Sequence, residues 1–432
     1  MVTDRLQRIL GVGFGLAVIV GSTLGIGILR TPGLVAGQLG SPTAIVVAWI
    51  VGGLYTLLGS VCLTELGTMQ TQAGGYYTYA RRAFGDRVGF AVGWTDWLTY
   101  CAVLGYISIG LAEFVGVLAP GTAGLATPIA IAALLALVAL QWNGIRISGR
   151  FQEIATAIKF AAFLVLVIAC LAVGRNAGSP SLTAAVPPAT FAGIIVALQS
   201  VVITYGGWQS ALYFTEEDRD PSRNLPRAMI GGVAAVIVIY LLINIALLRV
   251  LPMSTLAHAT LPAADAANVV AGARGSQVIT ILSLISLPPL LNAIMMIGAR
   301  IMFAMGRDGF LPRRTAHVNA GGTPTVAMLV TTVVAAALIA TGTFRKLVAV
   351  ASFFLAANYF ICCLALVVLR RREPAIPRPF RAWGYPWSAA VVSVGAAAFL
   401  AGALVADTAN AVIALALGAA GVVGRAVIAR AS

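Results

Sequence analysis

Residues 21–33 read GSTLGIGILRTPG and, five apolar segments later, residues 203–216 read ITYGGWQSALYFTE. Each stretch lies within an apolar run long enough to cross a hydrocarbon core of ~30 Å, yet each carries glycines where a helix interior disfavours them. Gly21, Gly25 and Gly27 interrupt the first run, with Pro32 and Gly33 behind them; Gly206 and Gly207 interrupt the other, with TEEDRDPSRNLPRA (215–228) behind it. A lone glycine pair merely lets membrane helices pack closely. Paired interruptions at corresponding places in two halves, an odd number of spans apart, instead predict an inverted repeat with two broken helices meeting at the midplane.

Composition agrees with that class. The chain is 60% hydrophobic and only 10% charged, against roughly a quarter charged in soluble domains. Apolar runs punctuated by Gly, Pro and Arg place twelve spans near 10–38, 42–70, 87–118, 125–142, 151–174, 190–217, 227–251, 276–305, 324–341, 344–369, 387–406 and 408–428. The expected architecture is an all-α polytopic membrane protein in one domain: residues 1–180 as the first repeat, 181–372 as the second, and 373–432 holding spans 11 and 12. The first span carries no small-residue cleavage site and is expected to remain in the mature chain.

The net charge of +14 would suggest nucleic acid in a soluble protein, but here the cations lie between apolar segments. Of the 28 Lys and Arg residues, only Arg175, Arg249, Arg274, Arg345 and Lys346 face outside if the N-terminus is cytoplasmic, while Arg30, Lys159 and Arg300 fall within spans. The positive-inside rule then puts both termini in the cytoplasm, and the lipid bilayer replaces nucleic acid as the partner. All five cysteines lie in or beside spans without metal-ligand spacing, and His258 and His317 are isolated in loops, so no metal site is expected. No phosphate-binding glycine loop or hydrolytic triad is present, which argues against an enzyme or an ATP-driven pump. No cofactor and no obligate protein partner are called for.

Five stretches carry a family resemblance: GSTLGIGILRTPG (21–33), ELGTMQTQAGGYYTYARRAFG (65–85), YGGWQSALYFTEEDRDPSRNLPRA (205–228), ARIMFAMGRDGFLP (299–312) and RRREPAIPRPFRAWGYP (370–386). In this order and spacing, over spans 1 to 10, the chain resembles bacterial amino-acid permeases of the amino acid/polyamine/organocation superfamily, and is most similar to the L-type (LAT) branch. The resemblance implies the LeuT-type 5+5 fold and a bacterial inner-membrane transporter.

An unwound backbone in a membrane leaves amides and carbonyls that must be satisfied, and a zwitterion supplies partners for both. Amides at the start of the second half of span 1, at Thr23, Gly25, Ile26 and Gly27, would face a carboxylate that the helix N-terminus also favours. Carbonyls of Ile203, Thr204 and Gly206, ending the first half of span 6, would accept from an α-ammonium. The resemblance makes these the family's backbone ligands, with Ile26 where relatives have a hydroxyl and Ile203 where an aromatic gate often sits. Tyr205 and Trp208 are further gate or pocket candidates, although helix-packing wedges look the same. ITYGGWQS holds no carboxylate, and Gln209 supplies no anion, so a neutral amino acid is favoured over a cationic one.

Lys159 lies about nine residues into span 5, roughly 13 Å of helix rise, where a cation is costly and usually partnered. Snorkelling to the interface is its plain alternative. The resemblance implies that the ammonium stands in for a sodium ion by bonding freed carbonyls around Gly21 and Ser22, which would make transport sodium-independent. Proton symport and exchange both remain open. Glu65, Glu216, Glu217, Asp218 and Arg219 suggest ion pairing at an inner gate, with Arg300 and Arg307 in a similar role; Asp96 and Glu113 are either proton carriers or polar partners within the bundle. The expectation is a secondary transporter of neutral L-amino acids; the alternatives are a carrier of another amine, such as a polyamine or amino-acid derivative, a channel, or a non-transporting sensor.

Overall fold

The computed structural model describes residues 5–172, 189–341, 344–406 and 408–431. In chain order the helices are α1 (Val12–Thr23), α2 (Gly27–Leu39), α3 (Pro42–Met69), α4 (Tyr76–Phe84), α5 (Asp86–Leu118), α6 (Ala126–Trp142), α7 (Ile145–Ala172), α8 (Phe191–Thr204), α9 (Pro221–Val250), α10 (Met253–His258), α11 (Pro262–Ala271), α12 (Gly275–Arg307), α13 (Thr325–Thr341), α14 (Phe344–Arg372), α15 (Trp387–Ala406) and α16 (Thr408–Ala431). No strand occurs among the described residues, apart from a single parallel bridge between Leu10 and Asp218. Eight segments are long and apolar enough to cross a membrane; α1 and α2 form a bent pair at 48°, and α6, α13 and α16 are shorter apolar helices. These segments fall on the twelve expected spans.

Boundaries depart from expectation where local chemistry overrides hydropathy. Pro221 takes the first position of α9, where its missing amide costs nothing, so that helix starts six residues before the expected 227 and absorbs much of the charged stretch. The loop expected between spans 2 and 3 contains α4, an amphipathic helix of about two and a half turns between glycines at φ +52° (Gly75) and +85° (Gly85). The expected repeat boundary at 180/181, Arg175, the end of span 5 at 173–174 and the junctions at 342–343 and 407 lie outside the described residues.

Two features position the site. The broken segments cross in antiparallel fashion: α1 packs against the 3-10 segment Trp208–Phe214 that follows α8, while α2 packs against α8. Around them α5 and α12 form one long pair and α3 and α9 another, with α7 spanning α1, α9 and α12. Exposed Leu, Val and Ile on the outer faces of α3, α7 and α8 are what lipid contact requires, since lipid tails are as apolar as these side chains.

Candidate functional site

The helix formed by α1 stops at Thr23 and resumes at Gly27, with Leu24 turned out to ψ 90°. The Gly25, Ile26 and Gly27 amides find no acceptor among the described residues, and these three residues are partly or fully exposed while Ser22 and Thr23 are buried. Thr23 also has a buried hydroxyl with no partner. Unpaired donors cost about 1–3 kcal/mol each when desolvated, so the break presents a set of N–H and O–H groups that a carboxylate would satisfy.

The second break abuts the first. Gly207 has φ +116°, and a Cβ there would lie 2.5 Å from Ser22 O and 2.9 Å from Thr23 N. Only glycine allows this conformation and this approach together. Ser22 Oγ contacts Gly207 O at 3.0 Å and Ser210 Oγ at 2.7 Å, and a Cβ at Gly27 would lie 3.2 Å from Thr204 Cγ2. Thr31 and Thr204 hydroxyls meet at 2.8 Å. Tyr240 of α9 completes the junction: its hydroxyl lies 2.7 Å from Thr23 O and 3.0 Å from Thr204 O, sharing one hydrogen between the two broken helices.

The expected acceptors are therefore less free than their sequence positions suggested. Thr204 O is already engaged by Tyr240, and Ile203 O accepts from Gly206 N at 2.9 Å; an ammonium would use the second lone pair of each. Two of the gate or pocket candidates need correction. Tyr205 is fully buried, with its hydroxyl donating to Trp49 O at 3.1 Å and its ring against Trp49 and Tyr240. Trp208 stacks on Tyr359 at 5.4 Å and fills the space over Gly59. Both are packing residues in this state because each finds an aromatic or small-residue partner on a neighbouring helix. Ile203, 49% exposed, stands clear of the packed core beside the break.

Lys159 is fully buried. Its ammonium donates to Gly21 O at 2.8 Å and to Ser286 O at 3.0 Å, joining α7 to α1 and α12. Of the two expected carbonyls it bonds that of Gly21 and not that of Ser22. Ser286 was not foreseen: Pro288 and Pro289 inside α12 strip the amide donors from the carbonyls of Leu284 and Ile285 rather than from Ser286, so the sequence did not mark this acceptor. Lys159 is also the last member of a buried polar stripe on α7, Ser148, Gln152, Thr156 and Lys159, whose three- and four-residue spacing puts them on one face. Gln152 and Thr156 both donate to Ala17 O, and Asn292 donates to Gln152 Oε1 at 2.9 Å. A Cβ at Gly21 would collide with Gln152 and Thr156, so this glycine lets α7 reach the end of the first half-helix.

Beyond the breaks, on the side of the Arg-rich loops, acid and base close the molecule. Glu217 and Arg300 form a buried two-pronged pair, Glu216 Oε1 meets Arg307 Nη1 at 2.7 Å, and Glu65 lies between Arg370 and Arg378. Tyr77 donates to Asp308 at 2.7 Å; burial holds that phenol above its ordinary pKa, so it acts as a neutral donor. These ion pairs close the Arg-rich side, while Gly25, Ile26 and Gly27 at the first break keep partial or full exposure.

Residues 15–422 match the family model described as amino acid permease. The serine/threonine exchanger SteT of Bacillus subtilis (strain 168) is 27% identical over 97% of this chain and 96% of its own. The human b(0,+)-type amino acid transporter 1 is also 27% identical, over 88% of this chain and 79% of its own. The methylthioribose transporter of Bacillus subtilis (strain 168) is 26% identical, over 84% and 81%.

Proposed function

This chain belongs to the amino acid permease family of all-α polytopic membrane transporters, and from that premise we propose that it moves neutral L-amino acids by alternating access, without sodium. The observation that carries the reading is the junction of the two helix breaks. Three backbone amides and the Thr23 hydroxyl are unpartnered on one side, and the Ile203, Thr204 and Gly206 carbonyls end a half-helix on the other. That pairing suits the carboxylate and ammonium common to all amino acids.

Several features support the finer parts of the reading. The crossed packing of α1 on 208–214 and α2 on α8 is what an inverted repeat of spans 1–5 and 6–10 would produce, with 373–432 appended. Positive loops favour cytoplasmic termini in a bacterial plasma membrane. Lys159 occupies the carbonyl of Gly21 that an unwound helix would otherwise offer a cation, which supports sodium independence. No acidic side chain stands at the break, and this favours neutral substrates over polyamines; the similarity to a methylthioribose transporter makes another small polar solute the outcome to test against.

The test is uptake of radiolabelled alanine, serine and leucine into sodium-free proteoliposomes. Saturable uptake with at least one of the three, unaffected by adding sodium, is expected. Folded protein that moves none of them would overturn the amino-acid assignment, and conductance without counterflow would indicate a channel.

A further inference from the structure

The mechanism described so far leaves unused a buried carboxylate in the middle of the Arg-rich half of the molecule. Asp96 on α5 is fully buried. Its Oδ2 accepts from Tyr213 at 2.7 Å, while Oδ1 has no partner. Asn358 on α14 faces the same carboxyl, near enough for its amide to favour the anion although it makes no well-formed hydrogen bond to it. The ionisable groups that face Asp96 are Tyr76 from α4, Tyr100 from its own helix, Tyr213 from the 208–214 segment, and Tyr359 and Cys362 from α14. None is a cation, and the buried Arg300 is already engaged by Glu217. A desolvated anion with Tyr213 and a loosely placed Asn358 amide as its donors and no counter-charge costs several kcal/mol, and a proton on Oδ1 reduces that cost.

The surroundings connect this carboxyl to the substrate junction. Gln209 Oε1 accepts from Gly207 N at 3.2 Å, at the second break, and from Tyr359 at 2.9 Å; Gln209 Nε2 reaches Tyr100 OH at 3.4 Å. The Tyr100 ring packs edge-on against Tyr213 at 5.4 Å, whose hydroxyl ends on Asp96. Tyr213 also belongs to the segment that continues into Glu216 and Glu217, the acids that close the Arg-rich side. Any motion that opens this side by moving 208–217 away from α5 and α12 breaks the Tyr213–Asp96 bond along with the ion pairs.

We propose that Asp96 is the proton-binding site of this transporter, loaded while the Arg-rich side is sealed and emptied when it opens. The inference rests on the transport reading above and selects proton symport from the two coupling modes. The carboxylate gains an O–H bond at Oδ1 by taking a proton from hydronium in water that enters from the substrate junction, leaving neutral water behind, while the Gln209 and tyrosine hydrogen bonds hold the carboxyl in place. When the 208–217 segment withdraws, water reaches the carboxyl, the O–H bond breaks, and the proton passes to cytoplasmic water. The carboxylate left behind must reload before the sealed state re-forms at low cost.

The experiment uses full-length protein in sodium-free proteoliposomes carrying an interior pH dye, with labelled alanine, serine or leucine outside. A pH gradient, alkaline inside, is expected to drive uptake into empty vesicles and substrate-dependent acidification of the interior. Asp96→Asn should lower gradient-driven uptake by about tenfold or more and abolish the acidification, while counterflow against internal substrate persists. Asp96→Asn protein that still acidifies and accumulates like the unmodified chain overturns the assignment. Unmodified protein that exchanges but ignores the gradient overturns it too and leaves the transport reading intact; if counterflow itself is absent, the transport reading falls first. Should Asp96→Asn fail to fold, Tyr213→Phe keeps the ring and removes the donor. It should shift the pH of half-maximal gradient-driven uptake by about half a unit or more, and an unmoved profile sinks the proposal.

Discussion

Gly207 and Lys159 show how much a single residue can decide at this junction. Gly207→Ala would force a Cβ into Ser22 O and hold a side chain at φ +116°; such strain costs about 1–3 kcal/mol. Uptake should fall at least tenfold, roughly 1.4 kcal/mol of lost function, and the melting temperature should drop. Gly206→Ala, whose Cβ meets only its own helix end at Ile203 O and the tip of Leu355, should be the milder change. The sequence marked both glycines as a break but could not rank them, because φ is not written in the letters GG. Lys159→Ala leaves the buried Gly21 carbonyl without its donor and should reduce counterflow by about tenfold, at about 1–3 kcal/mol for the orphaned group. Unchanged counterflow kinetics would remove its proposed role. That Lys159 lies inside a span was readable from hydropathy; that it reaches Ser286 was not, since the two lie 127 positions apart in the chain.

At the scale of elements, the broken helices are held by neighbours rather than by their own caps. No side-chain cap closes α1 or opens α2; Tyr240 and the polar stripe of α7 provide the restraint. Tyr240→Phe should therefore loosen the junction with little loss of packing. A three- to tenfold rise in the KM for uptake is expected, about 0.7–1.4 kcal/mol, with the protein still folded by thermal melt. An unaltered KM would show that the two breaks hold together without it. Spans such as α3 and α5 were legible almost to the residue because a bilayer demands length and apolarity. Tyr240 was not, since a tyrosine in VIVIYLLIN looks the same whether it faces lipid or an interior carbonyl. The α7 stripe was legible in principle, as Ser, Gln, Thr and Lys at helical spacing on one side of an apolar run, and α4 was hidden by its short length and mixed YYTYARRAF composition.

Across the whole molecule, one side is closed by acid–base contacts that link segments distant in sequence. Truncating one partner of a buried pair typically costs about 3–5 kcal/mol, and here that cost falls on the sealed state. Glu217→Gln should therefore shift the population toward the state open at the Arg-rich side. With Ala73→Cys as reporter, fully buried in the closed form and next to Glu216, labelling by a thiol reagent from that side should rise several-fold; the five native cysteines are buried. Equal labelling with and without Glu217→Gln would mean the pair does not control closure. Lys159 sets a different limit on the machine. A sodium ion bound at its place would arrive from one compartment and leave into the other, releasing the energy of its own gradient, whereas an ammonium tethered to α7 can never depart. It confers structure without fuel. If one proton is the only ion carried with a neutral solute, the ceiling on accumulation is set by the proton alone: at about 2.3 kcal/mol per 100 mV, a membrane potential of that size supports roughly a fiftyfold concentration ratio, however much sodium the surroundings contain.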